Sequence, residues 1–109
     1  MIRRWANRFS LISLLAFVAP AYAEPIQPLT YDCLMQVSTK YGIHLDVLLA
    51  ILLVEGGTVG KNNRGNTDGS YDIGPFQINT IHLPDLRHKG VTEVELRNNG
   101  CVNAEVAGW

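Results

Sequence analysis

The sequence predicts a small α+β domain, mainly α with one short β-hairpin. Three observations predict it. Two segments, Tyr31–Tyr41 and Leu45–Glu55, carry apolar residues at helical spacing or in a leucine-rich run and are bounded by capping residues. The stretch from Gly57 to Gly74 is instead dense in glycine, asparagine and aspartate, and holds Asp68-Gly69, a dipeptide favoured at tight hairpin turns. The whole chain has 109 residues, room for one small domain.

The first 23 residues are expected to lie outside that domain. "MIRRWANRFS" supplies Arg3, Arg4 and Arg8, "LISLLAFVA" is apolar, and "AYA" ends at Ala23. A basic start, a short apolar run and a small-x-small site form a secretory signal pattern. A membrane span would want about 20 apolar residues, so an uncleaved anchor is the weaker alternative. Cleavage after Ala23 leaves a domain of 86 residues, 24–109, in an exported protein, periplasmic or extracellular. Beyond residue 23 stand six Lys and Arg against ten Asp and Glu, a formal charge of −4. That balance argues against nucleic acid as a partner, since such binding rests on neutralising phosphates. The same balance offers anionic lipid no attraction.

Export also bears on Cys33 and Cys101, which lie near the two ends of this domain. An oxidising compartment favours a disulfide between them, and a small core benefits from one. Two buried free thiols are the alternative.

In chain order, "EPIQPL" has two prolines and reads as an extended lead-in. Thr30 can cap a helix running to about Tyr41, with Leu34, Val37 and Tyr41 on one face and Gly42 as its stop. A second helix is expected from Leu45 to Glu55 or Gly56. Its eight consecutive apolar residues, Val47 to Val54, predict that it is buried. The hairpin follows around Asp68-Gly69. "FQINTIHLPDL" reads as the start of a further helix or turn, interrupted by Pro84. Thr92 can cap a short helix in "TEVELRNNG", and "CVNAEVAGW" begins another. No internal repeat or low-complexity tract is present.

Glu55 is the first candidate for chemistry. It ends the apolar helix, with Ile51 and Leu52 one turn before it on the same face. Apolar surroundings favour a protonated carboxyl, which is what a general acid needs. A solvated residue at a helix end is the plain alternative. Asp72 follows 17 residues later, across the hairpin, where polar groups would keep it ionised. Two carboxyl groups in unlike surroundings form the working pair of glycoside hydrolysis, for which lysozyme is the standard example.

The fourteen residues "NTDGSYDIGPFQIN", Asn66 to Asn79, resemble the stretch N-T-D-G-S-x-D-x-G-x-x-Q-I-N that follows the catalytic Glu in animal, chicken-type lysozymes. From Tyr31 to Trp109 the chain more broadly resembles the bacterial lytic transglycosylases with an SLT domain, in particular small exported members associated with secretion, pilus and conjugation systems. The features are an early Cys, "YGI" before an apolar helix ending in Glu, "DIG-x-x-QIN", and a later "C-x-N". The resemblance implies a lysozyme-like fold that acts on peptidoglycan glycan strands. It casts Glu55 as general acid and then base at the bond between N-acetylmuramic acid and N-acetylglucosamine, with closure of an anhydro ring on the sugar's 6-hydroxyl. Gln77 and Asn79 are implied to line the cleft and support the hairpin, and Gly74 to lie close to substrate. Asn66 and Ser70 are expected to fix the turn by side chain to backbone bonds.

The chain also departs from that family. Gly56 and Gly57 stand where Glu is usually followed by Ser, and "GPF" replaces the common "GLM". The family's later A-x-x-Y-N motif has no equivalent before Trp109, so the resemblance implies a domain truncated at its C-terminal side. No cofactor and no metal is expected. A calcium loop through Asn66, Asp68, Ser70 and Asp72 fails because Gly69 stands at the fourth position and Gln77 at the twelfth. A zinc site from His44, His82 and His88 lacks paired ligand spacing. Two alternatives to a transglycosylase remain: a hydrolytic lysozyme using Glu55 and Asp72, and a glycan-binding protein without turnover.

Overall fold

A computed structural model describes residues 25–109, together with Ser13, Leu15 and Ala16. The signal pattern and its cleavage site at Ala23 lie outside the described residues. Among those described, no helix is long and apolar enough to cross a membrane.

Five α-helices surround a small sheet in the described residues: α1 (Tyr31–Tyr41), α2 (Leu45–Glu55), α3 (Leu83–His88), α4 (Glu93–Asn98) and α5 (Gly100–Gly108). The sheet comprises β1 (Asn62–Asn63), β2 (Asp72–Ile73) and β3 (Ile78–Asn79), antiparallel in that order, and a 3-10 turn, Thr80–His82, leads into α3. The domain is therefore α+β as expected, but the sheet has three strands rather than one hairpin. β3 falls in "QIN", where a helix or turn was predicted.

Local chemistry explains the helix ends. The Thr30 side chain accepts from the Cys33 N–H to start α1, and Gly42 ends it in the left-handed region. Thr92 and Glu95 form a reciprocal capping box on α4. Pro84 does not interrupt α3 but lies in its first turn, where its missing N–H would have had no helical partner. The lead-in is extended, as predicted. Gln27 bridges Asn99 in parallel, accepting from the Gly100 N–H at 2.9 Å and donating to Asn98 O at 2.8 Å.

Two apolar clusters hold the elements. Leu34 and Val37 of α1, Leu48 of α2, Phe76 and Ala104 form one; Ile73, Leu83, Leu86 and Leu96 form the other. Ile78 packs against both, so β3 sits at their junction. Full burial of one such leucine contributes about 1.5–3 kcal/mol.

The prediction that α2 is buried is corrected. Leu45, Leu48, Leu49 and Leu52 pack inward at i, i+3, i+4 and i+7, yet Leu48 alone in the helix is fully buried. Val47, Ile51, Leu53 and Val54 are exposed, the last two at 83% and 84%. The helix is apolar all round, but the described residues cover one side of it.

Helices α1 and α5 are tied twice. Cys33 and Cys101 form the expected disulfide, with Cα atoms 5.4 Å apart. Glu105 accepts from Lys40 and from the Tyr41 hydroxyl, the latter at 2.6 Å. These hydrogen bonds, that of Lys40 first, hold the Glu105 carboxyl below the usual carboxylate range. A lowered folded value means the contribution is present above the unfolded pKa and lost as pH falls through the folded one. Wild-type stability should thus fall on acidification below about pH 4.5, and Glu105→Gln should lessen that fall. Urea midpoints at pH 7 and pH 3 for both proteins check this; parallel losses in the two would remove Glu105 from the acid response.

Candidate active site

Glu55 is the last residue of α2, and Gly56 closes the helix in the left-handed region at φ 62°. Glu55 itself is exposed, so the apolar enclosure expected around it is not built by the described residues. Gly57 comes next and meets the sheet at very close range. A Cβ there would lie 2.0 Å from Gly74 O and 2.5 Å from Gln77 Nε2. Only glycine lets the chain leaving Glu55 approach this turn. Gly57→Ala should therefore cost about 1–3 kcal/mol of stability, read as a lowered urea midpoint. An unchanged midpoint would mean that the two segments part freely.

Strand β2 is central, with Asp72 opposite Asn63 on one side and Asn79 on the other. Asn79 Nδ2 donates to Asp72 Oδ1 at 2.9 Å, and Asn66 Nδ2 donates to Asp72 Oδ2 at 3.3 Å. Both amides also reach Ser70 Oγ, at 3.0 Å and 3.3 Å. Asn79 spends its own oxygen on the Ile81 N–H, capping the 3-10 turn. Asp72 thus sits among polar donors, in the kind of setting expected for it.

The expected roles of Asn66 and Ser70 need correction. Asn66 bonds to side chains rather than backbone, and Asp68 is the residue that fixes the turn. Its Oδ1 accepts from the Ser70 hydroxyl at 2.6 Å and the Ser70 N–H at 2.9 Å. Those two bonds, the hydroxyl first, hold the Asp68 carboxyl below its ordinary range. The short carboxylate of aspartate reaches the backbone two residues ahead, as in an Asx-turn.

Two open grooves flank this sheet. One, of about 290 Å³, is lined by Gly56, Gly57, Thr58, Lys61, Asn62, Asn63, Arg64 and Gln77. The other, of about 520 Å³, is polar and lined by residues 65–68 with Ser70, Asp72 and Asn79. The predicted residues are divided between them. Gln77 shares the first groove with Gly56, the neighbour of Glu55, whereas Asp72 and Asn79 line the second; Glu55 lines neither. Gly74 is buried, and its close approach is to protein: a Cβ there would lie 2.4 Å from Asn103 Nδ2.

Several contributors were missed at the level of sequence. Asn62 Oδ1 is buried beside the first groove and accepts no hydrogen bond, so it is available to a ligand donor. Arg64 stacks over the Tyr71 ring at 4.2 Å, and the Tyr71 hydroxyl donates to Glu93, linking the hairpin to α4. The run of small and polar residues from Gly57 to Asn63 marked a loop but not which of its side chains would face the groove. The three histidines are dispersed: His44 caps α2, while His82 and His88 stand before and at the end of α3.

No known family model matches the chain. It is similar, at 33% identity over 79 residues, to the invasion protein IagB of Salmonella typhimurium, covering 69% of this chain and 47% of IagB. It is 33% identical over 76 residues to protein IpgF of Shigella flexneri, covering 70% and 50%. A putative peptidoglycan-binding-like protein of Escherichia coli matches at 32% over 82 residues, covering 69% and 52%. The chain spans about half the length of the curated relatives it matches.

Proposed function

We propose that this protein acts on peptidoglycan as a lytic transglycosylase, in the cell envelope and after export. The observation that carries this reading is the joint between α2 and the sheet: Gly57 packs against Gly74 and Gln77, so the chain leaving Glu55 runs at once into a groove rimmed by Asn62 and Gln77, with Glu55 one residue from its edge. Likeness to a peptidoglycan-binding-like protein supports the substrate class. Likeness to IagB, an invasion protein, is compatible with work in the envelope, and the partner proposed there is a secretion, pilus or conjugation apparatus.

In this reading Glu55 donates its proton to the glycosidic oxygen as the bond to muramic acid C1 breaks. The resulting carboxylate then takes the proton of the muramoyl 6-hydroxyl, whose oxygen bonds to C1 and closes the anhydro ring. No water is consumed, and Glu55 ends protonated as it began. Gln77 and Asn79 would orient the glycan, while Asp72, held by Asn79 and Asn66, would stabilise positive charge developing at C1.

Incubation with purified sacculi tests the reaction. Anhydro-muramyl ends in the released fragments are expected. Reducing ends, heavier by one water, would instead indicate a hydrolytic lysozyme. The exposure of Glu55 favours one further alternative, glycan binding without turnover, in which case nothing is released although the protein binds sacculi.

A further inference from the structure

We infer that Asn103 is a positioning residue of this site: from the middle of α5 it fixes the Gly74–Gln77 turn against which the chain leaving Glu55 packs. The inference rests on the glycan-cleaving reading above for its effect on rate, and on geometry alone for its effect on the turn.

Asn103 is a polar side chain with 0% exposure, lying between the two apolar clusters. Its Oδ1 accepts from the Phe76 N–H at 2.9 Å. Its Nδ2 donates to Ile73 O at 2.9 Å and to Leu96 O at 3.0 Å. One side chain thus satisfies three buried backbone groups, on both sides of the Gly74–Pro75 step and on α4. A primary amide of this length supplies one acceptor and two donors in the required directions. Aspartate lacks the donors, leucine lacks all three functions, and glutamine is longer by a methylene.

The turn it holds is one that needs holding. Gln77 adopts φ 52°, in the left-handed region that a side chain disfavours. Gly74 O accepts from both the Gln77 N–H at 3.1 Å and Gln77 Nε2 at 2.9 Å. The same carbonyl is the one Gly57 abuts. A displacement of the turn therefore passes through Gly74 O to Gly57, two residues from Glu55. On the far side, Cys101 precedes Asn103 by two residues, about 200° around the helix, and ties α5 to α1. Helix α5 is anchored on one side and holds the cleft wall with the other.

The test compares Asn103→Asp with Thr30→Ala, loss of the α1 cap, which should destabilise the fold by about 1 kcal/mol without touching the wall. Glycan cleavage is measured below both melting temperatures, with amide hydrogen exchange on the same samples. A 1 Å misplacement of a site can cost about 100-fold in rate, and a kcat loss of that order is expected for Asn103→Asp. Thr30→Ala should keep the wild-type kcat. Aspartate keeps an acceptor for the Phe76 N–H but loses the donors to Ile73 O and Leu96 O, so the Gly74 and Gln77 amides of the displaced turn should lose protection selectively in Asn103→Asp. Equal kcat losses in the two variants, or a folded Asn103→Asp with wild-type kcat, would overturn the inference. Should Asn103→Asp not fold, Asn103→Ser, smaller and uncharged, carries the same test. If the wild type cleaves nothing, the catalytic reading fails and exchange alone decides: selective exposure of the turn supports Asn103, and uniform loss of protection overturns its role.

Discussion

Glu55→Gln should reduce the release of fragments from peptidoglycan by at least about 100-fold, the lower range of what a positioned general acid contributes. Glutamine keeps the shape and hydrogen-bonding reach of the side chain but has no proton to give a leaving oxygen. Because Glu55 is exposed at the end of α2, no buried partner is orphaned by the change. Stability should stay within about 0.5 kcal/mol, as for most surface substitutions. Affinity for sacculi should be retained, since Gln77 and Asn62 remain in place. The check is the rate of soluble muropeptide release beside a urea titration of the same samples. A variant that cleaves at the wild-type rate would show that Glu55 is not the acid.

The second large effect is on stability. Cys33→Ser with Cys101→Ser removes a crosslink spanning 68 residues of sequence, which the loop-entropy model values at about 4 kcal/mol. Domains have total stabilities of about 5–15 kcal/mol, so this is a large fraction of the margin. The loss is a larger share of the margin here than in a bundle with a deep core, because one face of α2 is left uncovered by the described residues. Helices α1 and α5 would then be joined by packing and the Lys40–Glu105–Tyr41 cluster, whose ion pair is largely solvated and adds little. Urea unfolding of the double variant against wild type, with and without reductant, measures the term. A change below about 1 kcal/mol would contradict the loop-entropy account.

Where backbone chemistry is local, the chain could be read before it was seen. Thr30, Gly42 and Thr92 marked helix ends because each acts within three or four residues of itself. The disulfide followed from two cysteines and an expected export signal. Elsewhere local rules ran out. Each strand is two residues long, too short to show an alternating pattern, so β3 in Ile78–Asn79 was invisible as a strand. The apolar run of α2 promised burial, but burial depends on what lies on both sides of a helix. Pro84 looked like an interruption because nothing nearby signalled that it would occupy a first turn. For the site, Asp72 was legible as a carboxylate in a polar setting and Asn79 as part of "QIN", but not as a bonded pair, whereas Asn103 was legible only as part of a "C-x-N" string. Its three backbone partners come from segments 7 to 30 residues away, and no local pattern connects them.

In the proposed reading, a glycan strand lies beside Glu55 against the wall formed by the sheet. That placement is tested most directly by titrating isotope-labelled Glu55→Gln protein with a β-1,4-linked N-acetylglucosamine oligomer and following each amide by NMR. Saturable shifts concentrated at Gly56, Gly57, Asn62, Gln77 and Asn79 are predicted, with the outer face of α1 unmoved. Shifts confined to other surfaces, or none at millimolar oligomer, would contradict the placement of the site.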